Sequence, residues 1–123
     1  MKFELDNVKN YLEKWGFVYT IRKKRRISKL FPYIVETATH KGKKFAKIKI
    51  EEIGKVFKIG KDVYIKFNNG AKPSEDSNLF PLSIFVCHSG FKSEKQWIKA
   101  IINFYGCFPS NLYLYKVEIF KGV

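Results

Sequence analysis

Leu5, Val8, Leu12 and Trp15 recur at i, i+3, i+7 and i+10, with Asp6, Lys9, Asn10, Glu13 and Lys14 between them. This is the pattern of an amphipathic helix over about residues 4–15, and it places Trp15 in the core rather than on the surface as a base-stacking ring. Gly16 is a suitable stop, because glycine accepts the left-handed backbone that ends many helices. The period then changes to two. Phe17, Tyr19 and Ile21 alternate with Val18, Thr20 and Arg22, which predicts a strand carrying Thr20 and Arg22 side by side on one face.

Pro32 marks a loop before residues 33–38, which are rich in β-formers. The turn-like His40-Lys41-Gly42-Lys43 joins them to residues 44–51. There Ala46, Ile48 and Ile50 face inward while Lys47, Lys49 and Glu51 face solvent, as in a hairpin partner with one wet face. Residues 56–59 and 62–67 predict two short strands hinged at Gly60-Lys61. Residues 68–78 form a polar surface loop, and residues 79–88 read as a core-crossing strand delayed by Pro81. Ser93 is a fitting N-cap for a second helix carrying Trp97, Ile98, Ile101, Ile102 and Tyr105 and stopping at Gly106. Residues 112–120 close the chain as a strand. Helix, five or six strands, helix, strand is an α+β order. It fits a small, curved mixed sheet closing into a barrel with two flanking helices better than a doubly wound fold.

At 123 residues the chain is one domain, 1–123, and 21 aromatic residues give it a substantial core. No apolar run reaches the roughly 18 residues of a membrane span, and residues 1–6 show no signal-peptide core. Cys87 and Cys107 lack metal-site spacing and read as two reduced thiols of a cytoplasmic protein, with a single disulfide between them as the alternative.

Charge changes the picture more. The net charge is +13, which attracts phosphate backbones and makes that attraction salt-dependent, although lysine-rich surfaces also arise for solubility alone. What counts is clustering. Between residues 22 and 29, Arg22, Lys23, Lys24, Arg25, Arg26 and Lys29 are six cations in eight positions, fed directly by the predicted strand. Each can neutralise a phosphate, and arginine can do so with two hydrogen bonds. Thr20 can bond a sugar or base edge, while Tyr19, Trp15 or Phe91, each better suited to the core, could stack an unpaired base.

Tyr19-Thr20-Ile21-Arg22 after a helix ending in Gly16 resembles the strand motif of the ASCH domain, a branch of the PUA-like superfamily. Residues 43–53 are similar to that family's next strand, Gly90-Phe91-Lys92-Ser93-Glu94-Lys95-Gln96-Trp97 to its second helix start, and residues 112–120 to its closing strand. The resemblance spans about residues 4–120. It implies a PUA-like β-barrel of about six strands, two flanking helices and a cleft holding Thr20, Arg22 and the Gly90-Phe91 turn. It also implies RNA-linked roles in modification, processing or translation. A branch that hydrolyses acylated cytidine uses a lysine before the threonine and a glutamate before the Gly-Phe pair. Phe17 and Ser89 stand at those positions, so hydrolysis of that type lacks two of its groups.

Other chemistry is sparse. His40 and His88 are the only near-neutral bases, and adjacent Cys87 and His88 would point to opposite faces of a strand. The isolated glycines make no phosphate loop, and Cys87, Cys107 and the histidines match no zinc spacing. Metal-free RNA cleavage by His88 with a basic residue is an alternative, and a basic protein-interaction module a second. The expected partner is therefore nucleic acid, RNA before DNA, with no membrane, metal or cofactor. The protein would act as a monomer or weak homodimer, without catalytic residues. Its RNA-binding residues would be those six cations with Tyr19, Thr20, Lys47, Lys49, Phe91 and Ser93.

Overall fold

A computed structural model describes residues 1–23, 33–67 and 79–120. Helix α1 (Asp6–Trp15) ends at Gly16, whose φ of 81° and N–H bond to Leu12 O make the left-handed stop. Six strands follow in an α+β arrangement: β1 (Phe17–Lys23), β2 (Tyr33–His40), β3 (Lys43–Ile59), β4 (Asp62–Phe67), β5 (Leu79–Pro81) and, after helix α2 (Glu94–Tyr105), β6 (Leu112–Ile119). All pairings between these strands are antiparallel.

The strand order is β1-β6-β3-β4-β5, with β2 also on β3. Among the described residues no pairing returns from β5 or β2 to β1, so the sheet is an open path rather than the closed barrel expected. Its sharpest feature is β3, one continuous strand where two were predicted. Residues 48–51 pair with both β2 and β6, and residues 54–55 with both β4 and β6. A strand has two hydrogen-bonding edges, so β2 and β4 follow one another along the same edge of β3. Between Glu52 and Gly54 the register with β6 shifts in a bulge, and bulges bend and twist the strand that holds them.

Period-two alternation separates two cores. Val18, Ile48, Ile50, Tyr115 and Val117 pack with Phe3 and with Val8 and Leu12 of α1. Ile21, Val56, Ile65, Leu112 and Leu114 pack with Trp97 and Ile101 of α2. The two helices thus cover opposite faces of the β1–β6 pair.

Two expectations fail at the ends of elements. Of the apolar stripe on α1, only Val8 and Leu12 are buried; Leu5 is 47% exposed and Trp15 58% exposed. The helix starts at Asp6 and stops at Trp15, so Leu5 and Trp15 sit at its two ends. The predicted strand over residues 79–88 is three residues of β5 followed by two 3₁₀ turns, Leu82–Ile84 and Val86–His88. Buried Leu82 and Phe85 are three apart, the repeat of a 3₁₀ turn, whose side chains eclipse at i and i+3. Pro81 ends β5 at an outer edge, where its missing N–H costs no ladder bond.

Candidate functional site

A slot of about 340 Å³ opens beside β1, near the lower end of small-ligand sites. Thr20, Ile21 and Arg22 all line it. Successive residues of a strand point to opposite faces, so a cavity touching three in a row runs along the strand's edge. β1 is an end strand of the sheet, and among the described residues no further strand pairs with that edge. One wall is the start of α1 and the segment before it, with Phe3, Leu5 and Val8; the other is α2, with Trp97, Ile101, Phe104 and Tyr105.

Polar groups are few and placed. Thr20 is 7% exposed, and its Oγ1 accepts from Arg22 Nε at 3.2 Å. The Arg22 guanidinium lies 5.4 Å over the Phe3 ring, a cation–π arrangement that fixes its plane. Phe91 closes one end, its ring stacked on Trp97 at 6.0 Å and 14°. Lys23 Nζ lies 5.1 Å over Tyr105, carrying positive charge to the wall of the slot. Lys2, Glu4 and Ala100 complete its lining.

Phe91 is held there by its neighbours. Ser89 is fully buried; its hydroxyl donates to Val86 O at 2.7 Å and accepts from Phe91 N at 3.1 Å. Gly90 adopts φ 84° and lies so close to α1 that an added Cβ would stand 2.8 Å from Asn7 O. Asn7 Nδ2 donates to Gly90 O at 3.0 Å. This turn therefore fastens α1, β1 and α2 together at the slot.

Thr20, Arg22 and Phe91 are the predicted residues that come together. The Ser93 hydroxyl oxygen accepts from Gln96 N and serves as the α2 cap, as its position predicted. Tyr19 points to the other face of β1, against Phe85 at 5.1 Å. Lys47 and Lys49 are also on that other face, because Lys49 pairs with Glu118 and Glu118 with Phe17. Lys49 is bonded to Glu51 at 3.1 Å, beside the Lys116–Glu118 pair at 3.0 Å. Carboxylates already answer Lys49 and Lys116, as on a solvated sheet face. Lys24, Arg25, Arg26 and Lys29 lie outside the described residues.

The aromatic walls of the slot are not legible as a site in the sequence. Periodicity assigns Trp97 and Tyr105 to a core stripe, and Phe3 and Phe104 belong to no pattern that singles them out. The neighbouring pair Phe104-Tyr105 at the end of α2 is the signal that could have suggested an aromatic edge.

His88 lies away from the slot. It hydrogen-bonds the Tyr11 hydroxyl through Nδ1 at 2.7 Å, with the Phe17 ring at 5.0 Å. Both cysteines are free and exposed. Cys87 and His88 share a 3₁₀ turn instead of the strand expected. Among the described residues no three His, Cys, Asp or Glu side chains cluster to hold a metal, and no helix is long and apolar enough to cross a membrane.

The charged sheet face has a pH signature. Hydrogen bonds to Glu51 and Glu118 raise Lys49 and Lys116, respectively, above the ordinary lysine value of 10.5. Loss of hydration, reinforced by the Cys87 sulfur, raises Tyr11 above 10.0. In each case the folded chain holds its proton to higher pH than the unfolded chain. Their contribution is therefore complete below the unfolded values and is lost as pH rises through the folded ones. Glu118→Gln is expected to lower the melting temperature at neutral pH and to narrow its gap from wild type above about pH 10.5. A gap independent of pH would overturn the coupling.

Comparison of the chain with family models, with curated proteins and with solved structures returned no match.

Proposed function

We propose that this chain is a small RNA-binding domain of the ASCH type, its open, bent sheet and two helices standing for the PUA-like architecture. In this reading the slot at Thr20 and Arg22 takes an unpaired base or its sugar, and the basic run from Arg22 to Lys29 takes the phosphates. The carrying observation is convergence. Thr20, Arg22 and Phe91 line one slot, the three positions that the ASCH-like pattern assigns to a cleft, and the densest run of cations in the chain begins at Arg22. A slot with aromatic walls and a few hydrogen-bonding groups suits an unstacked base, and adjacent cations supply affinity without sequence preference. The protein would act in the cytoplasm, in RNA modification, processing or translation, preferring RNA to DNA, as a monomer or weak homodimer.

Binding fits the residues better than hydrolysis. Phe17 occupies the lysine position of the acyl-cytidine hydrolases, and its side chain is on the face opposite Thr20. Ser89, at the glutamate position, spends its hydroxyl on Val86 O and Phe91 N. His88 does not line the slot, which separates it from Arg22 for metal-free cleavage.

The test is a filter-binding titration with single-stranded RNA across a salt series. Arg25→Ala with Arg26→Ala is expected to weaken binding and to flatten the log–log salt slope by roughly 1.4, about 0.7 for each phosphate that is no longer neutralised. Thr20→Val is expected to weaken binding at every salt concentration with the slope unchanged, since the same phosphates stay neutralised. Absence of RNA binding by the wild-type chain, or wild-type affinity and slope in both variants, would reject this reading.

A further inference from the structure

We propose that Trp15 is a second base-stacking position, and that one RNA strand runs between it and the Thr20–Arg22 slot; this rests on the RNA-binding reading above. Trp15 ends α1 with 58% of its surface exposed, although the helix stripe would bury it. The ring is nonetheless held in place. Gly16 fixes the chain through its bond to Leu12 O at 2.8 Å, and the Tyr11 ring lies 6.2 Å away at 39°. Tyr11 in turn meets Phe17 edge-on at 6.3 Å and bonds His88. An indole backed by a packed aromatic cluster loses little freedom when a base stacks on it.

The cluster is also cationic. Lys14 Nζ lies 5.2 Å over the Trp15 ring, whereas Lys116 Nζ, 5.7 Å over the Phe17 ring, is already bonded to Glu118 at 3.0 Å. An aromatic ring with a lysine beside it, here Trp15 with Lys14, is the pairing that single-stranded nucleic acid uses, ring for base and amine for phosphate. This favours RNA over an apolar protein partner. Spacing agrees as well. The slot begins at Phe3 and Leu5, at the start of α1, and Trp15 ends that helix. Ten residues of helix at about 1.5 Å each separate the two positions by about 15 Å. A few nucleotides cover that span, within the roughly 4–16 of a single-strand binding site.

The experiment compares wild type, Trp15→Phe and Trp15→Ala with uridine oligonucleotides of 3 and 12 nucleotides at low salt. The wild-type minus Trp15→Phe emission isolates Trp15 from the second tryptophan, Trp97, which is 2% exposed. The 12-mer is expected to quench that difference signal and to shield it from acrylamide. Trp15→Ala is expected to weaken 12-mer binding about 5- to 100-fold, with the salt slope unchanged, and Trp15→Phe to recover most of the loss. The 3-mer, too short to reach both positions, is expected to bind wild type and Trp15→Ala alike. Tight 12-mer binding with unchanged Trp15 emission and no loss in Trp15→Ala overturns the second position and leaves the RNA reading standing. Absence of binding at either length overturns both. Equal quenching by oligoglutamate overturns the assignment to RNA and transfers the surface to an acidic protein partner.

Discussion

Gly54→Ala is expected to lose about 3 kcal/mol or more of folding stability. A Cβ at that position would stand 2.2 Å from Lys66 O and 2.8 Å from its carbonyl carbon. These are backbone atoms of β4, which cannot swing aside as a side chain could. Gly54 pairs with Phe67 of β4 on one edge and with Leu114 of β6 on the other, directly after the bulge in β3. The methyl group must therefore part β3 from β4 or flatten the bend, and buried Val56, Val63 and Ile65 depend on that junction. Gly60→Ala is the matched control. Gly60 has φ 63° and nothing within 4 Å of an added Cβ, so only backbone strain of about 1 kcal/mol is expected. Urea denaturation of both variants decides it. Equal losses would mean that steric contact at Gly54 is not what shapes β3.

What could be read from the chain was whatever depended on a local period. Helix α1, β1 and the β2–β3 hairpin followed from spacings of a few residues, and so did the shared face of Thr20 and Arg22. The side on which Lys47 and Lys49 stand could not be read that way. It depends on the register of β3 against β6, set by contacts between residues some 70 positions apart. The segment after Pro81 misled by composition: its β-branched and aromatic residues suit a strand, yet Leu82 and Phe85 are buried on the repeat of a 3₁₀ turn. Trp15 misled because periodicity shows which face of a helix is apolar and not whether its last residue is covered. The slot combines both cases. Its floor was legible as alternation in β1, whereas its second wall required α2 to fold back across the opposite face of the sheet.

Gly90→Ala is expected to lose about 2–4 kcal/mol and, unlike Gly54→Ala, to act at the slot itself. Two costs combine. At φ 84° an alanine is strained by about 1–2 kcal/mol. Its methyl group would also meet Asn7 O at 2.8 Å and Val8 Cα at 3.0 Å, pushing away the first turn of α1. Val8 and Leu5 line one wall of the slot and Phe91 closes its end, so that displacement alters the opening. Asn7→Ala removes only the bond from Asn7 Nδ2 to Gly90 O and is expected to cost about 1 kcal/mol. Denaturation curves give the stability loss. RNA titration at a temperature where both variants remain folded gives the effect on the slot, with Gly90→Ala weakened more than Asn7→Ala. A folded Gly90→Ala protein that binds RNA as wild type does would mean that the slot tolerates movement of α1. Recognition would then rest on the β1 edge and the basic run alone, with the helix wall serving only to bury the core.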